Sequence, residues 1–200
     1  MLGNDIDANT RTAGYGGMVW KLRRARREVM LLGISALASV LARPAIAVPR
    51  ANDRRRLSFH NLHTGESLDA VYWVDGAYVR DALKRIDTVL RDFRTGDVHP
   101  IDPRLLDLLV RLRQKLGTNE PVHVISGYRS PRTNAMLRSH SEGVAGGSLH
   151  MEGMAIDIRV PGCKLDDVRT AALDLASGGV GYYPASDFVH VDIGRIRHWG

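Results

Sequence analysis

The sequence predicts a single α+β domain, with helices packed on a mainly antiparallel sheet. Three observations support this class. Two helix-period stretches, at residues 79–93 and 103–116, come first. A period-2 run follows at residues 154–160, and two further β-rich runs, 180–183 and 188–193, close the chain. No internal repeat or low-complexity tract interrupts this order.

Each element has a local cause. Leu57 to His60 and Leu68 to Val74 are alternating or β-rich runs around Thr64-Gly65-Glu66, which predicts a hairpin. Val79, Ala82, Leu83, Ile86, Val89, Leu90 and Phe93 recur at three- and four-residue spacing and give an amphipathic helix, stopped by Thr95-Gly96-Asp97. Asp102-Pro103 is a cap followed by a first-turn proline. Leu105, Leu106, Leu109, Leu112 and Leu116 form the apolar face of that second helix, and Gly117 is its stop. Val122 to Ile125 reads as a strand ending at Ser126-Gly127-Tyr128-Arg129, and Ser130-Pro131 starts a helix to about Ser139. The loop Gly143 to Gly147 precedes the period-2 strand. Asp166 to Ala176 forms one more helix, broken by Gly178-Gly179.

The 200 residues suit one ordinary domain, and 44% apolar with 25% charged content is that of a globular protein. The net charge of +6 is unevenly spread: residues 1–47 carry seven Lys/Arg against three Asp/Glu. Basic character concentrated in that segment is poor support for nucleic-acid binding, and none is expected. Residues 1–47 read as an N-terminal export signal. Lys21, Arg23, Arg24, Arg26 and Arg27 form a basic region, Val29 to Ala42 is uncharged, and Ala45-Ile46-Ala47 matches a cleavage site after Ala47. The uncharged stretch is too short and too broken to make a comfortable membrane span, so no stable span is expected after cleavage, although an uncleaved anchor is the alternative. Arg26-Arg27 allows the twin-arginine route as well as the general one, and Met18 is an alternative start. The protein is therefore expected across the inner membrane, in the periplasm. Residues 48–56 read as a solvated linker and 57–200 as the folded domain. The single Cys163 cannot form an intrachain disulfide, and without a paired base it reads as a small packed side chain.

The chemistry-bearing residues lie in Ser148 to Asp157 and Phe188 to Asp192. Gly153 and Gly146-Gly147 favour a loop leading into a strand over a helix, so Asp157 points away from Met154, Ile156 and Ile158. On the last strand His190 and Asp192 share one face with Phe188, while Val189, Val191 and Ile193 form the other. Two imidazoles and a carboxylate suit a catalytic Zn²⁺ with an open fourth position. Spacing alone leaves open whether His150 and His190 share an ion or are separate structural histidines.

Ser148-x-His150-x-x-Gly153-x-Ala155-x-Asp157 resembles the signature of the D-alanyl-D-alanine-type zinc peptidases, which share their fold with hedgehog signalling domains. Leu62-His63-Thr64-Gly65-Glu66, Arg94-Thr95-Gly96, His99 to Pro103, Ser126 to Ser130, Val180 to Pro184 and Phe188 to Asp192 narrow the resemblance to the YcbK-like murein endopeptidase branch, over residues 57–200. The resemblance implies that His150, Asp157 and His190 bind zinc, that Arg129 holds the substrate carbonyl or its oxyanion, and that Ser148 supports the ligand loop. It departs at one point. Better-known members carry a Glu base three residues before the last ligand, where this chain has Asp187. Asp192 lies on the ligand face, so it is expected to contact zinc-bound water, with Asp187 as the alternative base.

The implied activity is that of an exported, monomeric zinc metallopeptidase cutting cross-links between peptidoglycan stem peptides. A metal-containing but non-catalytic cell-wall binding module, or a carboxypeptidase trimming stem peptides, are the competing readings. His60 and His63 read as structural residues of the hairpin, and His99 as a turn residue. His140, Tyr182, Tyr183 and Trp199 are candidates for the cleft wall.

Overall fold

The computed structural model describes residues 53–140 and 145–200, and the expected export signal lies outside the described residues. An eight-stranded sheet is built from β1 (Arg54–Asn61), β2 (Ser67–Val74), β3 (Ala77–Tyr78), β4 (Val122–Ser126), β5 (Ala155–Arg159), β6 (Gly179–Tyr183), β7 (Phe188–Asp192) and β8 (Arg197–Trp199). Its spatial order is β3-β2-β1-β4-β5-β7-β6-β8. Only β1 with β4 and β6 with β8 pair in parallel; the remaining neighbours are antiparallel. Among the described residues four helices accompany it: α1 (Arg80–Val89), α2 (Pro103–Leu116), α3 (Pro131–His140) and α4 (Leu165–Asp174). The α+β expectation holds.

One boundary moves. Arg54, Arg55 and Arg56, read as linker, are the first residues of β1, where they pair with Val74, Trp73 and Val71. Strand pairing accommodates their charge: Arg54 and Arg56 stay exposed, Arg55 Nη1 bonds Asp107 Oδ1 at 2.7 Å, and Arg56 pairs with Asp69. An arginine run reads as a tether only while its partners are unknown.

Helix α2 is bounded by its caps, whereas α1 ends at Val89, before the expected stop at Thr95-Gly96-Asp97. The Asp102 side chain accepts from Arg104 N, Pro103 occupies the first turn, and Gly117 at φ 66° ends α2 in the left-handed conformation. Helix α1 buries Ala82, Ile86 and Val89. These faces pack on one side of the sheet, where Leu57, Phe59, Val122, Val124, Ile156, Ile158, Val189 and Val191 are all within 1% of full burial. Alternation then sends Asp157, His190 and Asp192 to the opposite side. Among the described residues, no helix is long and apolar enough to cross a membrane.

Candidate metal centre

Backbone register brings the distant segments together. In the antiparallel β5–β7 pair Asp157 stands opposite His190, and Ala155 opposite Asp192. His150 comes from a single 3₁₀ turn, Leu149–Glu152, immediately before β5. That turn ends at Gly153, whose φ of 65° is left-handed and where a Cβ would collide with the Pro100 carbonyl. The turn is held from outside too: the His150 carbonyl accepts from Arg129 N at 3.1 Å.

His150, Asp157 and His190 are all buried, and one donor atom from each lies within 4.8 Å of the others. His150 Nε2 is 3.2 Å from Asp157 Oδ1 and 3.1 Å from His190 Nδ1, which is itself 2.9 Å from Asp157 Oδ1. The far side of each ring sets its tautomer. His150 Nδ1 is 2.7 Å from the Gly127 carbonyl, which can only accept, so Nδ1 carries the proton. His190 Nε2 is 3.1 Å from the Asp192 carboxylate and donates likewise. In the neutral rings, therefore, two imidazole lone pairs and a carboxylate oxygen converge on one point. Such a cluster is stable only with positive charge at its centre, as a metal ion or as added protons. The donor set fits a divalent cation of the zinc type.

The electrostatics agree. Burial alone would raise the Asp157 pKa, but the His150 and His190 rings outweigh it and hold the carboxyl well below the usual range. Burial disfavours the charged His190 ring, yet hydrogen bonds with Asp157 and Asp192 outweigh that and raise its pKa.

The structure separates the two carboxylates expected to serve as base. Asp192 is fully buried beside His190, but both its oxygens are taken. Oδ1 accepts from Gly179 N at 2.9 Å, Gly194 N at 2.9 Å and Arg197 Nη1 at 3.1 Å; Oδ2 accepts from His190 and from Arg197 Nη2 at 2.7 Å. Burial opposes its charge, but His190, Arg197 and the two backbone amides keep its pKa well below the ordinary value. It is bonded behind the ring rather than in front of it. Asp187 is not brought to the cluster. Strand β7 begins only at Phe188, and Asp187 sits in the left-handed region (φ 52°) with its side chain 64% exposed, 3.0 Å from Arg159 Nε. Turn geometry takes this residue out of the alternation that a longer strand would have imposed.

Arg129 lies beside the cluster. Its Nη2 is 3.4 Å from Asp157 Oδ2, and its buried Nε has no partner among the described residues. Burial lowers its pKa, so its charge sits in a poorly solvated position beside the cluster. Groove-lining residues around the cluster include Ser148, His63, Arg94, Tyr183, Arg197 and Trp199, enclosing about 600 Å³. Trp199 reaches His190, with ring centres 5.2 Å apart, by crossing Gly181; a side chain at Gly181 would meet the indole. The Trp199 indole N–H donates to the Tyr183 hydroxyl at 2.8 Å. Tyr182 faces the other side of β6 and packs on the core. His140 bonds the Met136 carbonyl at the exposed end of α3, and His99 stacks on Tyr128; neither lines the groove. Sequence reasoning missed Arg197, which has no motif around it and gains its meaning only from Asp192. A larger concavity along β1 and α2 shares no lining residue with the groove and holds none of the cluster.

A sequence model of the family described as "Peptidoglycan L,D-endopeptidase MepK" matches residues 49–199. The chain belongs to this peptidoglycan L,D-endopeptidase family. The family is one of M15 metallopeptidases, in line with a metal-holding cluster of His150, Asp157 and His190. Among its members, the peptidoglycan L,D-endopeptidase MepK of Escherichia coli (strain K12) is 46% identical over 175 residues, covering 87% of this chain and 96% of that protein. The Shigella flexneri protein of the same name matches equally, at 46% over 175 residues. The probable peptidoglycan L,D-endopeptidase MepK of Haemophilus influenzae is 41% identical over 175 residues, covering 87% of this chain and 94% of that protein.

Proposed function

We propose that this chain is a zinc-dependent peptidoglycan endopeptidase that hydrolyses peptide cross-links between stem peptides, with His150, Asp157 and His190 as the zinc ligands. The observation that carries the metal assignment is the convergence of three lone pairs, with each imidazole's other nitrogen tied to an acceptor. The family and its relatives' names carry the substrate class. A bound Zn²⁺ supplies a Lewis acid that activates water and polarises an amide carbonyl.

The chain's own residues do the rest. Gly127 O and Asp192 hold the two rings in the tautomer and orientation that ligation requires. Asp192 is thus assigned to positioning His190, in place of the base role its face suggested. Arg129, whose guanidinium lines the groove beside the cluster, is assigned to the carbonyl oxygen of the scissile amide as it gains charge; one preorganised donor of that kind is typically worth about 2.7–4 kcal/mol. Tyr183 and Trp199 form an aromatic wall that shields the cluster from bulk water. A substrate in the cell wall calls for action outside the cytoplasm, with residues 1–47 as the export signal that is cleaved in the process.

The test is digestion of defined cross-linked muropeptides by zinc-loaded and metal-depleted protein, with products identified by mass. Cleavage at the cross-link by the loaded form alone is expected. Equal cleavage by the depleted form would overturn the zinc assignment, and products shortened only at a free terminus would make the protein a carboxypeptidase.

A further inference from the structure

The groove carries more positive charge than its chemistry uses. Three guanidiniums, of Arg94, Arg129 and Arg197, line it. Arg197 is committed to Asp192 and Arg129 approaches Asp157. Arg94 pairs with no carboxylate among the described residues; its guanidinium carbon instead lies 4.1 Å from the centre of the Phe93 ring. The His63 ring stacks on the same Phe93, with centres 3.8 Å apart, and also lines the groove. Burial and the Arg94 charge both lower the His63 pKa, which keeps that ring neutral.

The Arg94 backbone is also held in place. The buried Asp92 carboxylate accepts from Arg94 N at 2.9 Å through Oδ1, and from Ser130 N at 2.9 Å and Ser130 Oγ at 2.7 Å through Oδ2. One carboxylate thus pins the Arg94 turn to the residue that follows Arg129. Burial works against the Asp92 charge, but its hydrogen bonds to Thr133, Ser130 and Arg94 outweigh it and hold the pKa down to about 2. Two like charges are fixed in one groove, close enough that Arg94 disfavours the charge on Arg129. A divalent ion would add two more. An anion from outside is what this wall lacks.

We propose that Arg94, backed by Phe93 and His63, forms a subsite for a free carboxylate of the substrate peptide, and so sets a preference for cross-links whose neighbouring carboxyl is not amidated. This rests on the reading of the groove as a peptide-cleaving site. An exposed guanidinium on an aromatic face is a ready partner for a carboxylate, and one such charge-assisted contact is worth about tenfold in binding.

The test uses one cross-linked peptide in two forms, free acid and carboxamide, with zinc-loaded protein. The expected ratio of kcat/KM, acid over amide, is about tenfold in the unaltered protein and lies mainly in KM. It should fall to near one in Arg94→Ala and be partly kept in Arg94→Lys. A ratio that persists in Arg94→Ala overturns the subsite, as does no preference in the unaltered protein. Should the unaltered protein cleave neither peptide, the peptidase reading fails and equilibrium binding of the two labelled peptides decides the subsite. An acid preference abolished by Arg94→Ala then upholds it, and equal affinities sink it.

Discussion

Strands β5 and β7 present two unlike faces made by the same ten residues. On one side Ile156, Ile158, Val189 and Val191 are buried against the helices as an ordinary apolar core. On the other, Asp157, His190 and Asp192 are buried too, yet every one is charged or polar. The apolar face gains from removal of its surface from water and needs no partner atoms in particular places. The polar face gains nothing from burial itself; it survives because the outer nitrogen of each ring and the Asp192 carboxylate are matched within the protein, while the three converging lone pairs call for a positive charge. The comparison shows how a small domain can hold a preorganised site: the apolar side makes the backbone rigid, and that rigidity aims the polar side.

Substitutions should therefore fail differently on the two faces. The largest effect is expected on the polar face, where His150→Ala removes a ligand while the core remains. Peptidase activity should fall about a thousandfold or more, and bound zinc by mass spectrometry should drop from near one per chain to near zero. Near-normal zinc content would break the assignment. On the apolar face Ile156→Ala should cost about 2–5 kcal/mol in urea denaturation, while the folded fraction binds zinc as before. Loss of zinc affinity without loss of stability would show that the two faces are not separable in this way.

Finer substitutions sharpen the contrast. Asp192→Asn keeps a group behind His190 but loses the charge that Arg197 and the two amides surround. Zinc affinity should weaken about 10–100-fold in a chelator competition. Unchanged affinity combined with lost turnover would instead return Asp192 to the role of base. The smallest effect is expected from Asp187→Ala, which removes only an exposed pair with Arg159. Stability should shift by no more than about 0.5–1 kcal/mol and activity by less than about twofold, and a large rate loss would restore Asp187 to the mechanism.

Much was legible before any coordinates. The helix periods at Ala82-Ile86-Val89 and Leu105-Leu109-Leu112, the cap at Asp102 and the alternation from Met154 to Val160 are local signals, and an element stands at each, although α1 ends at Val89 and leaves Phe93 outside the helix. Parity in the loop-to-strand motif and the Phe188–Asp192 run made His150, Asp157 and His190 candidates, and the resemblance to the zinc peptidases joined them into one ligand set. The fate of Asp187 and Asp192 was not legible. One depended on whether β7 began one residue earlier, and the other on amides of Gly179 and Gly194 and on Arg197, none of which alternation alone can place opposite a carboxylate.

The chain's order of residues determined, by itself, which side of each strand is apolar and which residue types could grip a cation, because side-chain parity and turn chemistry act over a few neighbours. Tertiary structure alone decided what each buried carboxylate does. A carboxylate's role is set by the donors that reach it, and those arrive from β6, β8 and the loop between β7 and β8 through strand pairing that no local pattern records.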